Sequence, residues 1–158
     1  VSRATIRAVR DLIPDETRRK GRLLDVGDVA GNGALGMPTR LAIPVLDMHY
    51  TLAMIGCQPH GGTDVVAMMD SAERFSWVEL SIIYSRLYRL LKPGGLLVVT
   101  LDEPWWRRVK RWLRMERGRK RYAYTRGQIE RALTVAGFPV VASGRYALGA
   151  KRYAWGLK

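Results

Sequence analysis

Hydrophobic positions recur at several spacings along the chain, and each spacing predicts an element. In residues 2–13, Ile6, Val9, Leu12 and Ile13 return at helical spacing and Pro14 ends the run, so an N-terminal helix with one buried face is expected. Residues 22–27 (RLLDVG) form an apolar run of strand length closed by an acidic residue and a glycine. The next stretch, 27–36, holds four glycines in ten residues, which suits a turn or a ligand loop. Residues 41–47 (LAIPVLD) predict a second strand ending in Asp47, with Pro44 best tolerated at a sheet edge or bulge. A short strand is expected at 51–56 (TLAMIG), then a turn at 58–62 (QPHGG) and a strand at 63–70 ending in Asp70.

From Ser76 to Leu91, the residues Trp77, Leu80, Ile83, Tyr84, Leu87, Leu90 and Leu91 fall on one helical stripe, with Arg86 and Arg89 off it. Pro93-Gly94-Gly95 stops that helix, and 95–102 (GLLVVTLD) is the near-continuous apolar run of a strand covered on both faces. Thr125 has the character of a helix cap, the helix running to Ala136 with Gly137 as its stop. Two closing strands joined through Leu148-Gly149-Ala150 complete the chain. Strands alternating with helices, then a hairpin, predict an α/β sheet with helices on both faces, in a single domain spanning 1–158.

Composition narrows this further. At 47% hydrophobic and 26% charged, the chain can bury a core and is neither disordered nor fibrous. No stretch approaches the ~20 consecutive apolar residues of a membrane-spanning helix, and no apolar signal core opens the sequence, so a soluble cytoplasmic protein is expected. Cys57 is the sole cysteine, which excludes an internal disulfide or a thiolate zinc cluster. The net charge of +13 is unevenly spread: residues 1–24 carry +4, 25–104 carry −4, 105–131 carry +9 and 132–158 carry +4. A localised excess suggests a polyanion, an anionic membrane surface or an acidic partner. Arginine outnumbers lysine 21 to 6, which fits either genome composition or bidentate phosphate contacts.

Several segments, taken in order over roughly residues 20–150, resemble the class I S-adenosylmethionine-dependent methyltransferases, and among them the type 11 group. LLDVGDVAGNG looks like their first motif, a strand followed by a glycine-rich loop, and VLDMH looks like the second strand with its ribose-binding acid. TDVVAMMDSAERF is similar to the fourth-strand segment. LLKPGGLLVVTLDEP is the most specific piece, and TRGQIERALTVAGFPVV resembles the helix and strand that follow. The resemblance implies a Rossmann-like, mostly parallel sheet with a C-terminal antiparallel hairpin, shortened between the second and fourth strands. It implies S-adenosylmethionine as cofactor, with Asp25, Gly27 and Gly31 in the loop, Asp47 on the ribose, and Met48, Met69 and Asp70 along the pocket wall. Physically, glycine permits close backbone approach and a carboxylate accepts from ribose hydroxyls.

The departures matter as much. If Gly27 and Gly31 are the outer glycines of the motif, Val29 replaces the middle one, and a β-branched side chain disfavours positive φ there. Gly36 and Pro38 interrupt the helix expected after the loop. Between Asp47 and Asp64 there is room for the strand TLAMIG and not for the helix that precedes it in the family, so the pocket is expected to be open there or completed by another subunit. Asp64 and Glu73 are expected to be solvated loop residues or helix caps. His49 is either a general base or a surface histidine, and Cys57 a buried structural thiol.

Residues 105–121 (WWRRVKRWLRMERGRKR) place Trp105, Trp106, Val109, Trp112 and Leu113 on one helical face and Arg107, Arg108, Lys110, Arg111 and Arg114 on the other. That pattern suits an interfacial helix, a nucleic-acid surface, or a lid over the sheet. In the family this segment builds the substrate side, which makes Arg107, Arg108, Arg111 and Trp112 candidates for substrate contact. Two functions stay open: a divergent methyltransferase of unknown acceptor, its positive patch either used for the acceptor or incidental, and a non-catalytic module that kept the scaffold. Such a module would bind nucleic acid or an anionic membrane surface, or partner an active subunit.

Overall fold

A computed structural model describes residues 3–27, 39–45, 47–113 and 122–158. Its centre is a six-stranded sheet in the order β2-β1-β3-β4-β6-β5. The strands are β1 (Leu23–Gly27), β2 (Thr39–Pro44), β3 (Thr63–Met69), β4 (Leu91–Asp102), β5 (Val140–Tyr146) and β6 (Lys151–Leu157). The first four are parallel, β6 is antiparallel to β4, and β5 is antiparallel to β6. Both the Rossmann-like sheet and its closing hairpin are therefore present, and Pro44 ends a strand at the sheet edge.

Alternation along the strands sends side chains to two faces. Leu24, Val26, Val66, Met68, Leu97, Val99 and Leu101 pack against α3 (Met48–Gly56), α4 (Trp77–Leu90) and α6 (Arg126–Val135). Leu23, Val65, Ala67, Met69, Leu96 and Val98 face Val9 and Ile13, from α1 (Arg3–Leu12) and the residue after it. A short α2 (Asp15–Lys20) and α5 (Pro104–Trp112) complete the helices. Thr125 and Gly137 stand as the cap and the stop expected of α6. Ser76 and Glu79 form a reciprocal box at the start of α4, Thr125 and Gln128 another at α6, and Gly137 leaves α6 at φ +106, where a β-carbon would be strained. No described helix is long and apolar enough to cross a membrane.

One element differs in kind. Residues 51–56 are not a strand; they belong to α3, which begins directly after Asp47. Asp47 caps that helix, its Oδ1 accepting from the Tyr50 N–H at 2.8 Å, and Thr51 and Ile55, four apart, are its buried residues. The helix judged missing is present, and among the described residues it is the third strand that is absent. The chain leaves β2 at one edge, passes β1 and enters β3 through α3 alone. The strand order shows that this connection reverses the direction in which strands are added, and α3 shares a face with α4 because both crossovers run the same way across the sheet.

Candidate functional site

That reversal sets the location of the crevice. Strands are added on one side of β1 by β2 and on the other by β3, so the carboxyl ends of β1 and β3 flank a topological switch point, where open α/β sheets bind ligands. The segment leaving β3 clasps the end of β1: the Ser71 hydroxyl donates to the Val26 carbonyl at 2.9 Å. A β-carbon on Gly27 would lie 3.1 Å from the Met69 carbonyl oxygen, so glycine here permits the two strand ends to approach. Arg74 Nη1 donates to the Val45 carbonyl at 2.9 Å and fixes the exit of β2 to the same segment.

Asp25 occupies the α1 side of β1, level with Ala67 of β3. It is 4% exposed, and Oδ1 has no hydrogen-bond partner among the described residues. Desolvation pushes its carboxyl up to about 6. A buried carboxylate oxygen without a donor costs stability, and such exceptions mark places where a ligand or water belongs. Asp47 is exposed and committed through Oδ1 to capping α3. Met69 is buried on the α1 side, whereas Met48 packs toward the α4 side, so the structure does not bring these two together. Gly31 and Val29 lie outside the described residues.

Asp70 directly follows β3. Its backbone is left-handed at φ +53, a conformation uncommon outside glycine, and both carboxylate oxygens are taken. Oδ1 accepts from the Thr100 hydroxyl at 3.1 Å and Oδ2 from Lys151 Nζ at 2.5 Å. Lys151 Nζ also reaches Asp102 Oδ1 at 3.8 Å and donates to Thr5 Oγ1 at 3.1 Å. The Tyr146 hydroxyl donates to Thr5 as well, at 3.2 Å, and burial pushes its phenol pKa up so that it keeps its proton. This cluster at the ends of β3 and β4 escapes a sequence reading because Thr5 and Lys151 are 146 positions apart.

Three further expectations are corrected. Glu73 is 2% exposed, and its Oε1 accepts from the Asp102 N–H at 2.8 Å, so it braces β4 from within. Asp64 is the second residue of β3: partial burial opposes ionisation, but the Arg22 N–H and Lys92 Nζ, both within 3.1 Å, hold its carboxyl below the usual range. Cys57 is exposed at the C-cap of α3, and His49 is exposed on its first turn.

The amphipathic helix forms as α5, tied to the hairpin by Trp105 Nε1, which donates to the Gly149 carbonyl at 3.3 Å. Its apolar face is only partly covered. Trp106 and Val109 are half-buried, but Trp105 is 49%, Trp112 81% and Leu113 49% exposed, so the tryptophans do not act together as a lid. Arg108 is exposed; the side chains of Arg107 and Arg111, and the whole of 114–121, lie outside the described part.

No family model matches the sequence, and no curated protein matches it. Solved structures do. A SAM-dependent methyltransferase from Thermotoga maritima is 16% identical with a TM-score of 0.71, the match covering 98% of this chain and 88% of that one. The 1,6-didemethyltoxoflavin-N1-methyltransferase of Burkholderia thailandensis, solved with bound 1,6-didemethyltoxoflavin and S-adenosylhomocysteine, is 15% identical with a TM-score of 0.70 over 99% and 79%. A SAM-dependent methyltransferase from Archaeoglobus fulgidus is 13% identical with a TM-score of 0.65 over 94% of each chain. The chain has the class I methyltransferase fold.

Proposed function

We propose that the chain is an S-adenosylmethionine-dependent methyltransferase of shortened form. The observation that carries this reading is Asp25: a buried carboxylate with an unpartnered oxygen, held at the switch point of the sheet. The fold it shares with methyltransferases, one of them solved with S-adenosylhomocysteine, supports the same cofactor. When bound, that cofactor supplies an electrophilic methyl group on a sulfonium.

The chain's own residues would hold it as follows. Asp25 accepts from the ammonium of the amino-acid part and becomes fully ionised as it gains that partner. Asp47 accepts from the ribose hydroxyls with the oxygen that the Tyr50 N–H does not take. Met69 forms part of the wall, while Asp70 acts indirectly by holding Lys151 and Thr100 in place. Transfer from a sulfonium depends on alignment of nucleophile and methyl more than on a strong base, so no catalytic triad is required. Titration calorimetry with S-adenosylhomocysteine tests this: saturable binding lost in Asp25→Ala is expected, and no heat with either protein at millimolar ligand would falsify it.

The exposed tryptophans of α5 favour a second reading, in which the helix rests on an anionic membrane surface. Trp112 and Leu113 would enter the headgroup boundary while the basic residues of 105–121 attract anionic lipid. Co-sedimentation with phosphatidylglycerol vesicles, lost at high salt and in Trp112→Ser, is the expected result. Salt-sensitive binding to RNA without vesicle binding would replace the membrane with nucleic acid.

A further inference from the structure

A second polar site lies on the other face of the sheet. Glu103 directly follows β4 and is 4% exposed, and it accepts from two guanidiniums: Arg145 Nε at 3.0 Å and Arg152 Nη2. Arg152, on β6, is itself 7% exposed, and its Nε–H is buried without an acceptor among the described residues. These three line a cleft of about 390 Å³ together with Arg126, Ser143 and Gly144.

The lining has an excess of positive charge, three guanidiniums against one carboxylate. Arg126 is the first residue of α6, and it brings the positive end of that helix to the rim. Its Nε is paired with Glu130 at 2.9 Å, and the Ser143 hydroxyl donates to the same Glu130 oxygen at 2.8 Å, so Ser143 is occupied and the guanidiniums are the donors. Arg145 is 74% and Arg126 68% exposed at the side chain, each paired through its Nε, while Arg152 is buried. A buried guanidinium held by one carboxylate, with a donor still unused, is half of a bidentate receptor. A purely structural ion pair would be complete without the cleft above it.

We propose that this cleft binds an oxyanion carried by a small molecule, a phosphate or a carboxylate, with Arg152 as the fixed donor and Arg126 and Arg145 closing over it. The site stands on its own lining and does not depend on the methyl-transfer reading. Titration calorimetry of the intact chain with sodium phosphate and, separately, sodium acetate, at ionic strength held constant with potassium chloride, tests it. Saturable binding of one or both is expected, weakened about tenfold by Arg145→Gln and by Arg126→Gln and unchanged by Arg10→Gln, an exposed residue of α1 on the other face. Both replaced groups are exposed, and a preserved thermal midpoint shows that the variants fold. Preference for phosphate assigns a phosphate ester, and preference for acetate a carboxylic acid. No saturable binding, or binding indifferent to Arg126 and Arg145, overturns the proposal.

Discussion

At the carboxyl edge of the sheet the two faces are built on one plan with opposite sign. On the α1 side a single ammonium, Lys151, is shared by two carboxylates, Asp70 and Asp102, and Asp25 is buried on the same side, in β1. On the α6 side a single carboxylate, Glu103, is shared by two guanidiniums, Arg145 and Arg152. Asp102 and Glu103 are consecutive, as are Lys151 and Arg152, so strand alternation alone sorts the charges. The lesson is that the net charge of +13 says less than its division by the sheet. The cluster around Lys151 holds more carboxylates than ammoniums, and the cluster around Glu103 more guanidiniums than carboxylates.

The most disruptive way to break this symmetry is to remove the buried guanidinium of the basic side. Arg152→Leu leaves Glu103 buried beside one exposed guanidinium, and a loss of about 3–5 kcal/mol is expected in urea unfolding. Lys151→Met, which sets Asp70 against Asp102, should cost somewhat less because Asp70 keeps the Thr100 bond. Equal losses would make the two sides equivalent.

Asp25 sharpens the comparison through pH. Its folded value of about 6 lies above the ordinary 3.8, so the folded state holds the proton more tightly than the unfolded one. The stability this contributes is complete below pH 3.8 and is lost as pH rises through 6, a difference of about 3 kcal/mol. Asp25→Asn should therefore stabilise the ligand-free protein by up to about 3 kcal/mol at pH 8, with the gain shrinking toward pH 4, while abolishing S-adenosylhomocysteine binding. Denaturation curves at the two pH values check the sign. Smaller still is the α6 cap: Thr125→Ala should cost about 1 kcal/mol by thermal unfolding and loosen Arg126 at the cleft rim. Trp112→Ser, with its side chain in solvent, should shift stability by less than about 0.5 kcal/mol.

Local chemistry made much of the fold readable. The stripe from Trp77 to Leu90 and the Thr125 cap each carry their own signal and stand where they were expected, whereas α4 ends at Leu90 and Pro93-Gly94-Gly95 falls inside β4, which starts at Leu91 and not at Gly95. TLAMIG misled because Thr, Ile and Met in a short apolar run suit a buried strand as well as a helix, and what decides between them is a cap, Asp47, that also looks like a ligand. The candidate site was legible at Asp25 and Gly27, which sit at a strand end. Ser71, Thr100, Lys151 and Arg152 were not, since their roles come from pairings across the sheet that no spacing in the chain encodes.

The shortened middle of the chain has one more consequence, at the border of the sheet. With no strand beyond β2 among the described residues, that strand ends the ladder on main-chain donors and acceptors, the kind of border on which neighbouring polypeptides add strands. Its last rung is Pro44, which has no N–H to offer. A chain added along β2 would thus meet an imino acid at the end nearest the crevice.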